Sequence, residues 1–582
     1  MPEKITSARA ITIIVILGIV VFFNALFNGF VGDDETQVLK NPLIQSVFNI
    51  PRIFSGSTFY NGDLNQLSGI YYRPLMTSFF ALIYTAFGPQ AFYFHLFQTL
   101  VHIANSILIF LIIRHFFNSH ISAIAATIFL VHPINVEAVA YISDLQDVLF
   151  FFFGALALFV EFYKRKTHRN AVLAFLLLSA SLLSKETGIL FIFIFLLNSF
   201  IFHKEQLKRS LFVGLLPIVM YGVFRFVIAQ VFFGASPNVP IMQASLMTRL
   251  ITVPAIIVYY FENVFFPYHL AISQDWVITS KNIGVFSLAI VSNVLIISLL
   301  FFLGRYFFNK NKEKFYIYLF FLLWLCLGIL FHLQLLFTLD NTVSDRWFYF
   351  PFVGLLGIIA LVLQFVTISK KYTILVISIV LLLSIRTIVR NSNYYNNFTL
   401  YSHDVKYSKD SSWIENGLGF ELLKQKRYGE AEKHVLKSVE LAPNGSVNWN
   451  TYGLFYERTG DIDKARTGYT TAVKNSDYYL AYQNLALFLL LYDKPEIAER
   501  FTKNALEKFP SNGYLWLIHA LVENKLDNTS LAVEAAQKAF DLSPNQISYN
   551  VFNRLSQNLS IEVKALKTDN GMGLGICPPT CN

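Results

Sequence analysis

Residues 31–42 read VGDDETQVLKNP, and they follow an apolar run ending in FNGF. Three consecutive acids, Asp33, Asp34 and Glu35, therefore stand against a segment of membrane length. A helix needs about 20 apolar residues to cross the hydrocarbon. The run before the acids meets that length, and its acid-rich exit lacks the small-residue site of a cleavable signal. A chain that opens with a retained span and sets its densest acid cluster at the bilayer edge predicts a membrane protein with chemistry at that edge.

The rest of the chain supports the membrane half of this reading. Of 582 residues, 55% are hydrophobic and only 14% charged, against roughly 25% charged in soluble domains. Phe (59) and Tyr (30) are abundant, as suits lipid contact and interfacial belts. The net charge of +9 does not indicate nucleic acid, because the cations gather in short loops between apolar runs. Cys326 lies in an apolar run and is read as packing, while Cys577 and Cys581 are close enough for a local disulfide.

Eleven spans are expected, at roughly 10–31, 92–113, 119–135, 147–163, 171–184, 188–203, 210–232, 284–304, 315–337, 351–369 and 372–389. Basic residues occupy every second loop: Lys4 and Arg9; Arg114; Lys164, Arg165, Lys166 and Arg169; Lys204, Lys208 and Arg209; Arg305, Lys310, Lys312 and Lys314; Lys370 and Lys371. These loops face the cytoplasm by the positive-inside rule, which puts the acid cluster and everything after residue 390 outside. The pattern holds only if 74–88 and 249–266 are helices lying along or dipping into the outer interface.

From about residue 411 the sequence is polar and periodic. Small residues recur as Gly419, Gly453, Ala486 and Ala520; as Ala431, Ala465, Ala498 and Ala532; and as Ser438, Ala472, Ala505 and Ala539. Aromatics align at Trp449, Tyr482 and Trp516, with Glu415 breaking the column; Pro443, Pro510 and Pro544 close three units, with Asp477 at the fourth. A period of about 34 is the tetratricopeptide signature. The predicted architecture is all-α: a membrane helix bundle over 1–389, a linker over 390–410, about four repeats with a capping helix over 411–566, and a flexible tail over 567–582.

On the external face the spans bring together Arg73, His132, Glu137, Asp144, Asp147, Lys185, Glu186, Asp345 and Arg346 beside the acids. Ionisable groups at membrane depth are costly and usually functional. The bland alternatives are solvation of a span exit for the acids and snorkelling for Lys185 and Arg346.

Five stretches in order carry a family resemblance: GDDETQVLKNP (32–42), YYRPL (71–75), HPINVEAVAYISDLQDVL (132–149), LLSKETG (182–188) and VSDRWFYFP (343–351). With the repeats behind them, the chain resembles the transmembrane and tetratricopeptide repeat-containing O-mannosyltransferases and their prokaryotic relatives among the GT-C glycosyltransferases. Leu145 and Gln146 stand where prokaryotic relatives commonly carry two cations. The resemblance implies an inverting transfer of a hexose, mannose by analogy, from a polyprenyl-phosphate sugar to Ser or Thr of exported proteins. A carboxylate serves as general base, and cations steady the phosphate leaving group. On that reading Asp33 is the base with Asp34 as partner or substitute, Arg73, Lys185 and Arg346 hold the phosphate, and Glu137, His132 and Asp147 contact the sugar or orient the loop.

The donor lipid is then a co-substrate, and no cofactor is expected. No metal constellation stands apart from the active-site acids, which leaves a divalent metal open. Expected partners are the sugar lipid, the bilayer and a protein acceptor gathered on the repeat surface, with no nucleic acid. The expected location is the cell membrane, N-terminus cytoplasmic. Two alternatives stay open: a non-catalytic membrane-anchored repeat scaffold for envelope assembly, and transfer to a glycan or lipid acceptor.

Overall fold

The computed structural model describes residues 6–59, 69–164, 167–234, 239–279, 282–367, 369–408, 410–559, 561–568 and 571–577. Lys4, Arg165, Lys166 and Cys581 lie outside the described residues. The chain divides into two compact units, one spanning 1–58 and 69–410, the other made chiefly of 411–582.

The first unit is helical. Among the described residues, seven helices are long and apolar enough to cross a membrane: Ser7–Phe27, Ala91–Arg114, Ile142–Tyr163, Lys204–Ile228, Gly284–Lys310, Lys312–Leu330 and Lys370–Asn393. The pair Ser119–Val131 and Pro133–Ala140, bent by 52° at its break, makes an eighth if counted as one span. This is a multi-pass membrane protein, but length does not support the expected eleven. His168–Ser184, Glu186–Phe202 and Pro351–Leu363 are apolar but shorter. At 1.5 Å per residue they fall short of the roughly 30 Å hydrocarbon thickness. Pro74–Phe87 and Leu246–Phe265, expected at the interface, are each a single helix that does not meet the length and composition of a span.

The bend has a local cause. Pro133 cannot continue a helix and pushes His132 into an extended conformation (ψ 128°). Polar side chains then serve the backbone groups freed at the break. Asn135 donates to the Phe129 carbonyl at 2.7 Å. Most of the donors come from one face of the Ala91–Arg114 helix. Gln98 donates to the carbonyls of Ala138 and Tyr141, each at 2.8 Å. The His102 ring lies 3.0 Å from the Leu130 carbonyl and 2.7 Å from the Tyr349 hydroxyl. Asn105 donates to the Val148 carbonyl at 2.9 Å. Residues 98, 102 and 105 repeat at helical spacing, so one stripe holds the broken segment in place.

Residues 390–410, expected as a linker, belong to the first unit. Arg390, at the end of the last long helix, grips Asp404 through two nitrogens at 2.6 and 3.1 Å. Asp404 sits on the helix Asn397–Asp404 and also accepts from the Ile272 backbone at 2.7 Å. Polar composition reads as a linker, whereas a buried ion pair makes it a clasp. Cys326, expected to pack inside, is exposed on the outer face of its helix.

The second unit contains four helix pairs: Ser412–Lys424 with Tyr428–Leu441, Ser446–Thr459 with Ile462–Asn475, Tyr479–Tyr492 with Pro495–Lys508, and Gly513–Lys525 with Thr529–Leu542. The small-residue columns lie where helices touch. A Cβ on Gly453 would meet the Tyr469 ring at 2.7 Å, and one on Gly468 would meet the Gly453 backbone nitrogen at 2.5 Å. The aromatic column is anchored by its polar tips. The Trp449 and Trp516 indoles donate to the carbonyls of Pro443 and Pro510 at 2.7 and 2.8 Å. Where proline is replaced by Asp477, the Tyr482 hydroxyl donates to the Asp477 carboxylate at 2.9 Å. Glu415, which breaks the column, instead takes His434 at 2.5 Å and Lys437 at 3.2 Å.

The capping helix is shorter than expected, Gln546–Ser556. Beyond it, Glu562–Thr568 and Gly571–Cys577 pair antiparallel, from Glu562 opposite Cys577 to Thr568 opposite Gly571, where a flexible tail was expected.

Candidate active site

Gly32, at φ +53°, turns the chain out of the first long helix and into the acid loop. Asp34 is fully buried and accepts three hydrogen bonds: from its own loop at Val31 N (3.0 Å), and from Ser143 N (2.7 Å) and Ser143 Oγ (2.6 Å). This carboxylate staples the acid loop to the turn Ile142–Asp144. Burial raises the Asp34 pKa to about 7, against the pull of the Ser143 and Val31 hydrogen bonds. Asp33 is partly exposed, and its backbone N–H donates to the Tyr141 hydroxyl at 2.8 Å. Its carboxyl is held above the ordinary range, first by desolvation and then by the Asp340 charge, while Arg346 and a hydrogen bond from Tyr141 oppose the rise.

The three cations are brought together. Lys185 lies within electrostatic reach of both Arg73 and Arg346. They come from three helix ends: Arg73 just before Pro74–Phe87, Lys185 just after His168–Ser184, and Arg346 in the turn Asp345–Phe348 ahead of Pro351–Leu363.

Their partners differ. Arg346 pairs with Glu137 through Nη1, which also reaches Asp144 at 3.2 Å. Glu137 further accepts from the Arg346 backbone at 3.0 Å and from Ser344 Oγ at 2.7 Å. Lys185 donates to Asp147 at 2.6 Å. Lys185 is buried and Arg346 mostly so, and both are paired with carboxylates. Arg73 gives its Nε to Glu186 at 3.2 Å and stacks 4.2 Å over the Tyr71 ring. Among the described residues its two terminal nitrogens take no hydrogen bond, so a phosphate-shaped fork is open there.

His132 has no spare nitrogen. Nε2 donates to the Val264 carbonyl at 2.8 Å and Nδ1 accepts from Ile134 N at 3.2 Å, so both ring nitrogens are used on backbone groups. Glu137 and Asp147 hold Arg346 and Lys185. Gln146 donates to Asp144 at 3.1 Å, and Leu145 is buried. Among the described residues no group of three or more His, Cys, Asp or Glu is arranged to hold a metal ion.

Sequence reasoning missed Tyr141 and Asp340. Asp340 accepts from the Tyr71 hydroxyl at 2.7 Å and faces Asp33. It stands three residues past the expected span 315–337 as a lone acid, without the clustering that marks Asp33 and Asp34. Tyr141 was within a quoted motif, but nothing in its neighbours shows that its hydroxyl reaches the acid loop.

A family profile described as "Dolichyl-phosphate-mannose-protein mannosyltransferase" matches residues 72–233. That stretch takes in Arg73, His132, Glu137, Asp147 and Lys185 but neither the acid pair nor Arg346. The "Protein O-mannosyl-transferase F38B6.6" of Caenorhabditis elegans is 25% identical over 448 residues, 75% of this chain and 63% of that one. "Protein O-mannosyl-transferase TMTC3" of Mus musculus is 23% identical over 607 residues, 92% of this chain and 64% of the relative. The chain thus spans somewhat under two thirds of the length of these two relatives. Among solved structures, YrrB, "a TPR protein with an unusual peptide-binding site", aligns at 15% identity and a TM-score of 0.24, over 30% of this chain and 87% of that one. So low a score adds nothing to the repeat geometry itself.

Fold and site define a polytopic helical membrane protein with a charged, loop-built site at its helix ends, followed by a tetratricopeptide solenoid. Within that class, the chain is similar over most of its length to proteins named as O-mannosyl-transferases, TMTC3 among them.

Proposed function

We propose that the chain is a membrane glycosyltransferase moving a hexose, mannose by the names of its relatives, from a polyprenyl-phosphate donor to Ser or Thr hydroxyls of exported proteins. Asp33 takes the proton of the acceptor hydroxyl as its oxygen attacks the anomeric carbon. The bond from that carbon to the phosphate oxygen breaks on the opposite face, which inverts the configuration. The leaving phosphate is already a stable anion and needs countercharge rather than a strong acid. Arg73 supplies it directly through its open fork. Lys185 and Arg346, already held by carboxylates, supply field and shape the pocket wall.

The observation that carries this reading is the difference between the two acids. Asp34 has three donors on its carboxylate, whereas Asp33 is partly exposed and lies in the field of Arg346. A site at helix ends suits a donor whose tail lies in the bilayer. The site and the repeats are assigned to the extracytoplasmic side on the alternation of basic loops. The repeats gather the acceptor protein, raising its effective concentration.

The test is intact-mass analysis of envelope proteins from cells with and without this gene. Loss of hexose increments supports the reading, and identical spectra refute it. Loss of glycan or glycolipid, with proteins unchanged, would move the acceptor to another class.

A further inference from the structure

Arg225 lies near the end of the long apolar helix Lys204–Ile228, where the turns widen to π geometry over Val223–Ile228. A cation there is costly, and this one is 2% exposed. Every nitrogen of its guanidinium is used. Nε donates to the Val231 carbonyl at 3.1 Å and Nη2 to the Ile70 carbonyl at 2.8 Å. Nη1 donates to the Tyr221 hydroxyl at 3.1 Å and stands 3.5 Å from Glu186 Oε1. The Phe233 ring covers the guanidinium at 4.4 Å. The Tyr221 hydroxyl in turn donates to the Tyr72 carbonyl at 3.3 Å. Arg225 is thereby tied, directly at Ile70 and through Tyr221 at Tyr72, to the short segment that leads into Arg73.

Glu186 joins this anchor to Arg73. Its Oε1, beside Arg225, also accepts the Tyr72 N–H at 3.2 Å, and its Oε2 accepts from Arg73 Nε at 3.2 Å. Arg73 also lies 4.2 Å over the Tyr71 ring, whose hydroxyl donates to Asp340 at 2.7 Å. One edge and one face of the Arg73 guanidinium are thus fixed, which sets where its terminal nitrogens point. By charge alone a carboxylate beside a phosphate-binding cation is a liability, because it repels the anion. What it adds is direction, since a misaimed fork cannot grip two phosphate oxygens at once. We infer that Glu186, braced by Arg225, is a positioning residue for Arg73, aiming its terminal nitrogens at the donor phosphate. The inference rests on Arg73 binding that phosphate, as proposed above.

The test compares two probes on the full chain in zwitterionic nanodiscs: a polyprenyl phosphate and the uncharged polyprenol of the same length. The ratio of their Kd values reads the grip on phosphate apart from tail binding. A general loosening of the fold moves both values and leaves the ratio alone. Glu186→Gln keeps the size of the side chain but offers one acceptor oxygen where the carboxylate uses two. It should cut the preference for the phosphate about tenfold, with polyprenol binding unchanged. Charge alone predicts the opposite sign, so a preference held or raised overturns the inference. Arg225→Lys keeps the charge and loses the fork, and should cut the preference likewise. In an Arg73→Ala background neither change should have any further effect; equal cuts with and without Arg73 overturn the positioning role. If Arg225→Lys does not fold, Tyr221→Phe replaces it, removing the hydroxyl that ties Arg225 to Tyr72. A loss of about threefold is then expected only where Arg73 is present, and no loss overturns the part given to Arg225. Arg73→Ala itself separates the failures. A preference intact there removes Arg73 from the proposed phosphate site and the inference with it. A preference lost there, beside one intact in Glu186→Gln, removes Glu186 and Arg225 alone.

Discussion

Asp34 is bound twice by Ser143, once through the backbone N–H at 2.7 Å and once through the hydroxyl at 2.6 Å. The two adjacent acids thereby differ in surroundings: Asp34 is buried and joins two loops, whereas Asp33 is partly exposed.

The paired substitutions should therefore differ in kind. Asp33→Asn should leave folding and donor binding intact while turnover falls on the order of 10²–10⁴-fold, the usual effect of removing a general base. Asp34→Asn sets an amide NH2 among donors and should cost about 1–3 kcal/mol of stability. Thermal unfolding and single-turnover rates on the same preparations would distinguish them. Equal unfolding temperatures for Asp34→Asn and the parent would contradict the staple.

On the proposed role of Asp33, desolvation and Asp340 together should shape its pH dependence. Desolvation and then the Asp340 charge hold the Asp33 carboxyl above its ordinary range. The base is active only when ionised, so activity should fall as pH drops through a limb lying above about 4, the usual carboxylate value. Asp340→Asn removes one of the two upward pushes and should move that limb to lower pH. A limb moving upward would show that Asp340 acts chiefly through Tyr71.

Arg73→Lys keeps the charge and loses the fork. Donor binding should weaken by ~1.5–3 kcal/mol, about ten- to a hundredfold in Kd. Arg346→Met should instead lower the yield of folded protein, because it leaves Glu137 and Asp144 without their countercharge. Titration with polyprenyl phosphate, read by intrinsic fluorescence, would measure the first effect; size-exclusion yield would measure the second.

The Arg390–Asp404 clasp is buried, so breaking one side leaves an uncompensated charge. Asp404→Asn should destabilise by about 3–5 kcal/mol, whereas Arg390→Met with Asp404→Leu should recover much of that loss. A double variant no better than the single would show that the Ile272 contact, not the ion pair, carries the clasp.

In the solenoid, Gly468→Ala pushes a methyl toward the Gly453 backbone, which has no side-chain freedom to yield. About 1–3 kcal/mol of destabilisation is expected. Chemical unfolding of a chain spanning 411–559 would measure it and would also show whether the repeats fold alone. Gly429→Ala, where a Cβ meets nothing within 4 Å, is the control.

The solenoid was legible because close packing of helix pairs demands small residues at a repeated interval, and a period survives in one dimension. The acid pair and the three cations were legible because charge beside a membrane-length run is conspicuous. What the cations are bonded to was not. Arg346 meets Glu137 and Asp144, and Arg73 meets Glu186, across long stretches of chain with no spacing rule. The spans expected at 171–184, 188–203 and 351–369 stay unconfirmed, because their helices, 168–184, 186–202 and 351–363, are apolar but short of a full crossing. Residues 390–410 were misread because a polar segment that contributes one buried carboxylate looks the same in sequence as one that contributes none.

The polar stripe on Ala91–Arg114 bears on how the protein is made. Gln98, His102 and Asn105 find their partners at Ala138, Tyr141, Leu130, Val148 and Tyr349, all later in the chain. During synthesis this segment therefore reaches the insertion machinery before any of those acceptors exists. Polar side chains left alone in hydrocarbon are unfavourable. Most of those groups are satisfied only once residues 119–149 arrive, and the last of them only with Tyr349, so the helix settles in stages. The residues that support the broken segment thereby tie an early helix to parts of the chain made after it.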